Sequence, residues 1–199
     1  MKRLHKYLGF GALGIALTLP LLGNTPVLAN LQEVGANIAQ IINRPKVELN
    51  LSAHKKMVKT DQLGKEVVTY QDLGAQATVL PGETLRYQLE SKNEGDVAAG
   101  NLTLSQPIPS GMTYLIGSAA SNNNSVITYK LNDGYERPAD SQEFEAEPQI
   151  LVEVLQDDGS VVKEIQAAPA EAYAQVRWEF DTNLSPQSSL KATYEVVVN

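Results

Sequence analysis

The chain contains no cysteine, which excludes a disulfide framework, a thiolate metal site and a lipid-modified cysteine anchor together. Stability must then come from packing and strand pairing. Histidine is scarce, with only His5 and His54, and Trp178 is the single tryptophan. Positive charge is also in short supply: 16 Lys and Arg face 23 Asp and Glu, a net charge of −7. An acidic surface disfavours nucleic acid and anionic membrane as partners. The C-terminal stretch LKATYEVVVN has neither an apolar tail nor a sorting signal, so no covalent anchor is visible there. What remains is 199 residues, enough for one domain with a substantial core.

Residues 1–29 read as a removable leader. Lys2, Arg3 and Lys6 form a positive start, Leu8 to Leu22 an apolar stretch, and Val27-Leu28-Ala29 a small-residue cleavage pattern. The pattern predicts an exported protein, periplasmic, cell-surface or extracellular, whose mature form starts at Asn30 and has no membrane span. The competing reading is an uncleaved anchor, for which Gly9, Gly11, Gly14 and Pro20 make a weak spanning helix. The leader carries three of the 16 basic residues and no acidic one, so the remainder holds 13 against 23, a net −10.

Residues 30–45 place Leu31, Val34, Ile38 and Ile41 at helical spacing before Pro45. This is a short amphipathic helix or a leader segment, stable only if docked on the domain or on a partner. From Lys46 onward the period is two. Val47, Leu49, Leu51 and Ala53 alternate with polar residues, and Glu66 to Tyr70 answers across the Asp61–Gly64 turn as a hairpin partner. Lys55, Lys56 and Lys59 then protect a solvated edge. Leu80-Pro81-Gly82-Glu83 matches a type II turn, and Leu85, Tyr87 and Leu89 mark a half-buried central strand. Two hairpins are expected further on: Val126 to Leu131 with a partner following Asn132-Asp133-Gly134, and Ile150–Leu155 with Ser160–Ile165 around Asp157-Asp158-Gly159. Val176, Trp178 and Phe180, then Leu190 to Val198, complete nine or ten strands of an all-β antiparallel sandwich spanning residues 46–199.

The punctuation of these strands resembles that of a known family. Pro81-Gly82-Glu83-Thr84-Leu85-Arg86-Tyr87, the Asn93-x-Gly95-Asp96 loop, Pro107-x-Pro109-x-Gly111-Met112-Thr113-Tyr114 with Gly117-Ser118-Ala119, and Trp178-x-Phe180 with Leu184-x-Pro186 are similar to the bacterial conserved-repeat domain, also called domain of unknown function eleven. The resemblance implies an immunoglobulin-like β-sandwich of exported and cell-surface proteins, here with an extra hairpin insertion over residues 132–166. It implies structural or adhesive roles and names neither ligand nor active site. Two positions depart from the pattern: Gln106 stands where the family usually has Asp, and Gln187 where it usually has Gly.

Candidates for chemistry are few. His54 is the one histidine outside the leader, lies beside Lys55 and Lys56, and has no carboxylate near it in sequence to orient it as a base. No catalytic residue and no cofactor is assigned. Oxygen-rich loops suggest calcium, for which Asp140, Glu143, Glu145, Glu147, Asp157 and Asp158 are the candidate ligands, although none lies in calcium-loop spacing and Asp157-Asp158-Gly159 is explained as turn chemistry. Lys46 and Asn199 open the first strand and end the last, which raises an intramolecular amide, against the outward parity of Lys46. Trp178 is a core plug rather than a sugar platform, while Tyr135 and Tyr173 are the expected exposed aromatics. The functional expectation is a non-catalytic, monomeric binding or structural module of the envelope. It would meet a protein or glycan partner through sheet edges or the loops Ser118–Ser125 and Asp140–Glu147; the alternative is a calcium- or glycan-binding protein, or a hydrolase, with its site in the acidic insertion.

Overall fold

The computed structural model describes residues 16–18, 44–74 and 77–199. The leader and the segment over 30–45 therefore lie outside the described residues, apart from Ala16–Thr18 and the irregular stretch 44–46. In chain order the strands are β1 (Ala16–Thr18), β2 (Val47–Thr60), β3 (Glu66–Asp72), β4 (Thr84–Asn93), β5 (Thr103–Pro107) and β6 (Met112–Tyr114). There follow β7 (Ala120–Ser121), β8 (Ser125–Leu131), β9 (Gln149–Leu155), β10 (Val161–Ala167), β11 (Tyr173–Phe180) and β12 (Ser189–Val198). A 3-10 turn, Ala170–Ala172, precedes β11. Among the described residues no helix is long and apolar enough to cross a membrane.

All strand pairs are antiparallel. One sheet runs β3-β2-β4-β12-β6, with β7 also on β12; a second runs β1-β5-β11-β8; β9 and β10 form a separate two-stranded ribbon. The two larger sheets meet over one core, to which β4 and β12 contribute Leu85, Tyr87, Leu89, Tyr194 and Val196, and β5 and β11 contribute Leu104, Val176, Trp178 and Phe180. This is the packing of a β-sandwich. The cause is the alternation itself. Strand β4 is buried at every second residue along TLRYQLESKN, so one face enters the core while Arg86, Gln88 and Glu90 stay on the other.

Aromatic rings join the layers. Trp178 is fully buried as expected, 6.1 Å from Tyr194, which stacks on Tyr87 at 5.3 Å. Tyr114 from the larger sheet packs at 5.4 Å from Tyr129 and 5.1 Å from Tyr173 of the smaller one. Tyr173 is thus part of the core cluster and not an exposed aromatic. Tyr135 is likewise half-buried, against a second small cluster of Leu131, Ile150, Ala168 and Ala172. Tyr135 lies between Gly134 and Glu136, and Tyr173 precedes a register shift in its strand, so the burial of both comes from long-range contacts that periodicity cannot show.

The turn chemistry holds. Gly82 adopts φ 86° within the Leu80–Glu83 turn, closed by the Glu83 N–H on the Leu80 carbonyl at 3.1 Å. Gly95 has no room for a side chain: a Cβ would lie 2.6 Å from the Lys46 nitrogen and 2.8 Å from the Arg44 carbonyl oxygen. One expected hairpin does not form. Strand β8 pairs with β11 over seven positions, and the chain after Gly134 returns only as a bridge between Tyr129 and Glu145. The Asn132 side chain closes the Asn-Asp-Gly turn by accepting the Gly134 N–H at 3.1 Å, but the chain then reaches Pro138 and forms no strand until β9, with Pro148 just before it. The β9–β10 hairpin does form, with seven register pairs and Gly159 at φ 81°.

Candidate functional site

The larger sheet has an outer face as well as a core face, and its residues come into line through register. Asp72 on β3 stands opposite His54 on β2, His54 opposite Arg86 on β4, and Arg86 opposite Glu195 on β12. Four titratable or charged side chains therefore form one row across four strands. In the next row Tyr70 faces Lys56.

Glu195 is the hub, only 4% exposed. Its carboxylate accepts hydrogen bonds from Lys56 Nζ at 2.9 Å, the Tyr70 hydroxyl at 2.8 Å, and Arg86 Nη2 and Nε at 2.7 and 3.1 Å. Burial alone would raise its pKa, but these donors outweigh it and hold the carboxyl below the ordinary glutamate value. Tyr70 shifts the other way, pushed up by burial and by its bond to Glu195. Lys56, expected on a solvated edge, lies on a strand between β3 and β4 and pairs with the buried Glu195 carboxylate.

At the other end of the row lies an arrangement that local sequence conceals. Ser52 Oγ and His54 Nε2 share a hydrogen bond at 3.0 Å, and His54 Nδ1 faces Asp72 Oδ1 at 3.7 Å. The carboxylate missing near His54 in sequence arrives from β3, eighteen positions away, because the hairpin register sets Asp72 beside it. Serine, imidazole and carboxylate stand in the order of a hydrolase triad. Three features set it apart from an assembled triad. The His54–Asp72 separation exceeds a hydrogen bond, the Asp72 side chain is 76% exposed, and strand N–H groups lie in the sheet plane, directed along the ladder rather than toward an oxyanion above Ser52.

The acidic insertion behaves differently from its composition. Glu143 binds Lys130 at 2.7 Å, Glu145 binds Arg137 at 2.8 Å, and Glu136 binds Lys163 at 2.6 Å. Lys130 holds the Glu143 carboxyl below its usual range. Asp158 accepts the Ser160 hydroxyl and N–H at 2.6 and 2.9 Å, which lowers its pKa and closes the ribbon turn next to Asp157. Among the described residues, no group of three or more His, Cys, Asp or Glu side chains is arranged to hold a metal ion. Asp140, Glu143, Glu145, Glu147, Asp157 and Asp158 thus do not converge. Lys46 and Asn199 are also apart: Lys46 pairs with Glu48 and Glu94 at one end of the sandwich, and Asn199 accepts the Thr113 hydroxyl at the other.

The loop end of the sandwich holds a cleft of about 470 Å³ between Asn122–Asn124 and the stretch 182–189. Among the described residues its lining is amides and hydroxyls together with Leu184, with no charged side chain. A smaller hollow of about 300 Å³ is bounded by Asn101, Thr103, Glu179 and Asp181. Polar loop composition over Ser118–Ser125 pointed to the first wall; the second, the turn before β12, carried no signal beyond turn residues. Comparison with models of known protein families, with curated proteins and with solved structures finds no match.

Proposed function

We propose that the chain is an exported, non-catalytic module of the bacterial cell envelope or surface, an immunoglobulin-like sandwich of the conserved-repeat type that binds a partner. The observation that carries this reading is the division of polar groups. The charged side chains of the sheet face and the acidic insertion largely pair with one another, and uncommitted hydrogen-bonding groups collect in the loop-end cleft. Paired charges hold strands and loops in place. A cleft of amides and hydroxyls binds without breaking bonds. The leader pattern supports the compartment.

Cell fractionation with N-terminal sequencing tests the reading. The expected product is an envelope or secreted chain beginning at Asn30; a chain kept in the cytosol with its first residues intact would refute export.

A second reading, an esterase-type hydrolase, draws on the alignment of Ser52, His54 and Asp72. It requires turnover of p-nitrophenyl acetate that Ser52→Ala removes while the melting midpoint stays unchanged. Equal background rates for the two chains dispose of it.

A further inference from the structure

We propose that the cleft between Asn122–Asn124 and residues 182–189 binds an uncharged oligosaccharide. The proposal deepens the envelope reading, and rests on it for the setting in which such a chain is met. The first argument is chemical. The protein carries 16 basic and 23 acidic residues, yet the cleft is lined by four Asn, three Ser, one Thr and one Leu. A site for an anion or a cation uses opposite charge, and this one offers none. A protein partner would be anchored by an aromatic or arginine side chain seated in an apolar pocket, whereas Leu184, 2% exposed, is the single apolar contributor here. Carboxamides and hydroxyls side by side give donors and acceptors within reach of each other, which is what the neighbouring hydroxyls of a sugar ring require.

The second argument is availability. Asn122 is committed to holding its loop: its Oδ1 accepts the Lys191 N–H at 2.7 Å, and its own N–H donates to the Lys191 carbonyl at 3.0 Å. Ser188 is committed as well, donating to the Ser185 carbonyl at 2.6 Å. The side chains of Asn123, Asn124, Thr182, Ser185 and Ser189 have no hydrogen-bond partner among the described residues. Both walls are thus fixed by their own bonds, and the groups left over face a ready-made space. Preorganisation of this kind reduces the ordering cost of binding.

The third argument is size and shape. A volume of about 470 Å³ lies within the range of small-molecule clefts, and the cleft is open to solvent at the loop tips, where a sugar chain can reach it. Among the described residues no aromatic ring lines it, so the sugar is held by hydrogen bonds without a stacking platform, and the affinity is correspondingly weak.

The test is a titration of the mature chain, residues 30–199, with cellotetraose, chitotetraose and maltotetraose, followed by amide chemical shifts. A uronic acid tetramer is the charged control. Expected are saturable shifts confined to residues 121–125 and 182–191 with at least one neutral sugar and none with the uronate. The exposed double variant Asn123→Ala/Asn124→Ala should weaken binding about tenfold or more with an unchanged melting midpoint. The proposal fails if no neutral sugar perturbs these amides at millimolar concentration, if the uronate binds equally well, or if the double variant binds as the parent does. Failure here leaves the fractionation result untouched, and a cytosolic chain that still binds the sugar removes the envelope reading alone.

Discussion

Strands β12 and β10 have similar ingredients and opposite fates. SLKATYEVVV and VVKEIQA both mix β-branched residues with a lysine and a glutamate, yet β12 is buried at Leu190, Ala192, Tyr194, Val196 and Val198, while all seven residues of β10 are exposed. Each even position of β12 enters the core between the sheets, and its odd position 195 meets three donors from its own sheet. Strand β10 has β9 on one side and, among the described residues, no strand on the other. Composition makes a strand; neighbours decide whether it is a core element or an appendage.

The sharpest way to break this contrast is to empty β12. Tyr194 is fully buried, stacks on Tyr87 and donates to the Pro107 carbonyl at 3.3 Å. Tyr194→Ala should cost about 3–5 kcal/mol in urea unfolding, a large share of a domain's stability. The same core predicts that burial alone pushes the Tyr87 hydroxyl up to about 12, so its ultraviolet titration should begin only in strong alkali.

Second in size is Glu195→Ala, at about 2 kcal/mol. A fully buried pair would cost more, but the Lys56 and Arg86 side chains are 27% and 35% exposed and regain water when the carboxylate goes. Acid should act in the same direction. The folded carboxyl sits below its unfolded value, so its contribution is complete above the unfolded pKa of about 4.3 and is lost as pH falls through the folded one. A melting curve against pH should therefore decline more steeply for the parent than for Glu195→Gln. Parallel declines would show that the pairing carries no weight.

Smaller, and opposite in sign, is Gln106→Met. Gln106 is fully buried on β5, its Oε1 has no hydrogen-bond partner among the described residues, and its Nε2 reaches the Pro107 carbonyl only at 3.5 Å. Replacing an unsatisfied amide with an apolar chain of similar volume should raise stability by about 1 kcal/mol. Smallest of all is Ile165→Thr on β10, where Ile165 is 57% exposed: a change within about 0.5 kcal/mol by the same urea measurement. A large loss there would mean that the ribbon is covered in solution, and the contrast with β12 would dissolve.

Much of the fold was legible because turns and alternation are local. Gly82 and Gly159 mark reversals for reasons readable within four residues, and β4, β11 and β12 announce a buried face by period two. The hairpin expected after Asn132-Asp133-Gly134 was misread for the same reason: the turn is local and forms, but the chain beyond it runs through Pro138 and meets the outer edge of β8 only at the Tyr129–Glu145 bridge. The candidate sites were less legible. Asp72 reaches His54, and Glu195 reaches Lys56 and Tyr70, through register between strands up to 139 positions apart. Composition drew the eye to the acidic insertion, although Glu143, Glu145 and Asp158 are spent on holding loops. Gln187, where the resemblance expects glycine, does adopt a left-handed φ of 59°, so that departure is carried as backbone strain in the turn beside the cleft.

The order β2-β4-β12 has a mechanical consequence. Strand β2 begins beside Asn93 and β12 begins beside Lys92, so both start at the cleft end and run side by side in direction, with β4 antiparallel between them through nine register pairs on each side. A pull applied at Lys46 and at Asn199 acts along these strands from opposite ends. It loads the two ladders in shear, where many hydrogen bonds must yield together, instead of peeling them one at a time. Tension between whatever lies before Lys46 and whatever follows β12 would cross the domain along its strongest direction.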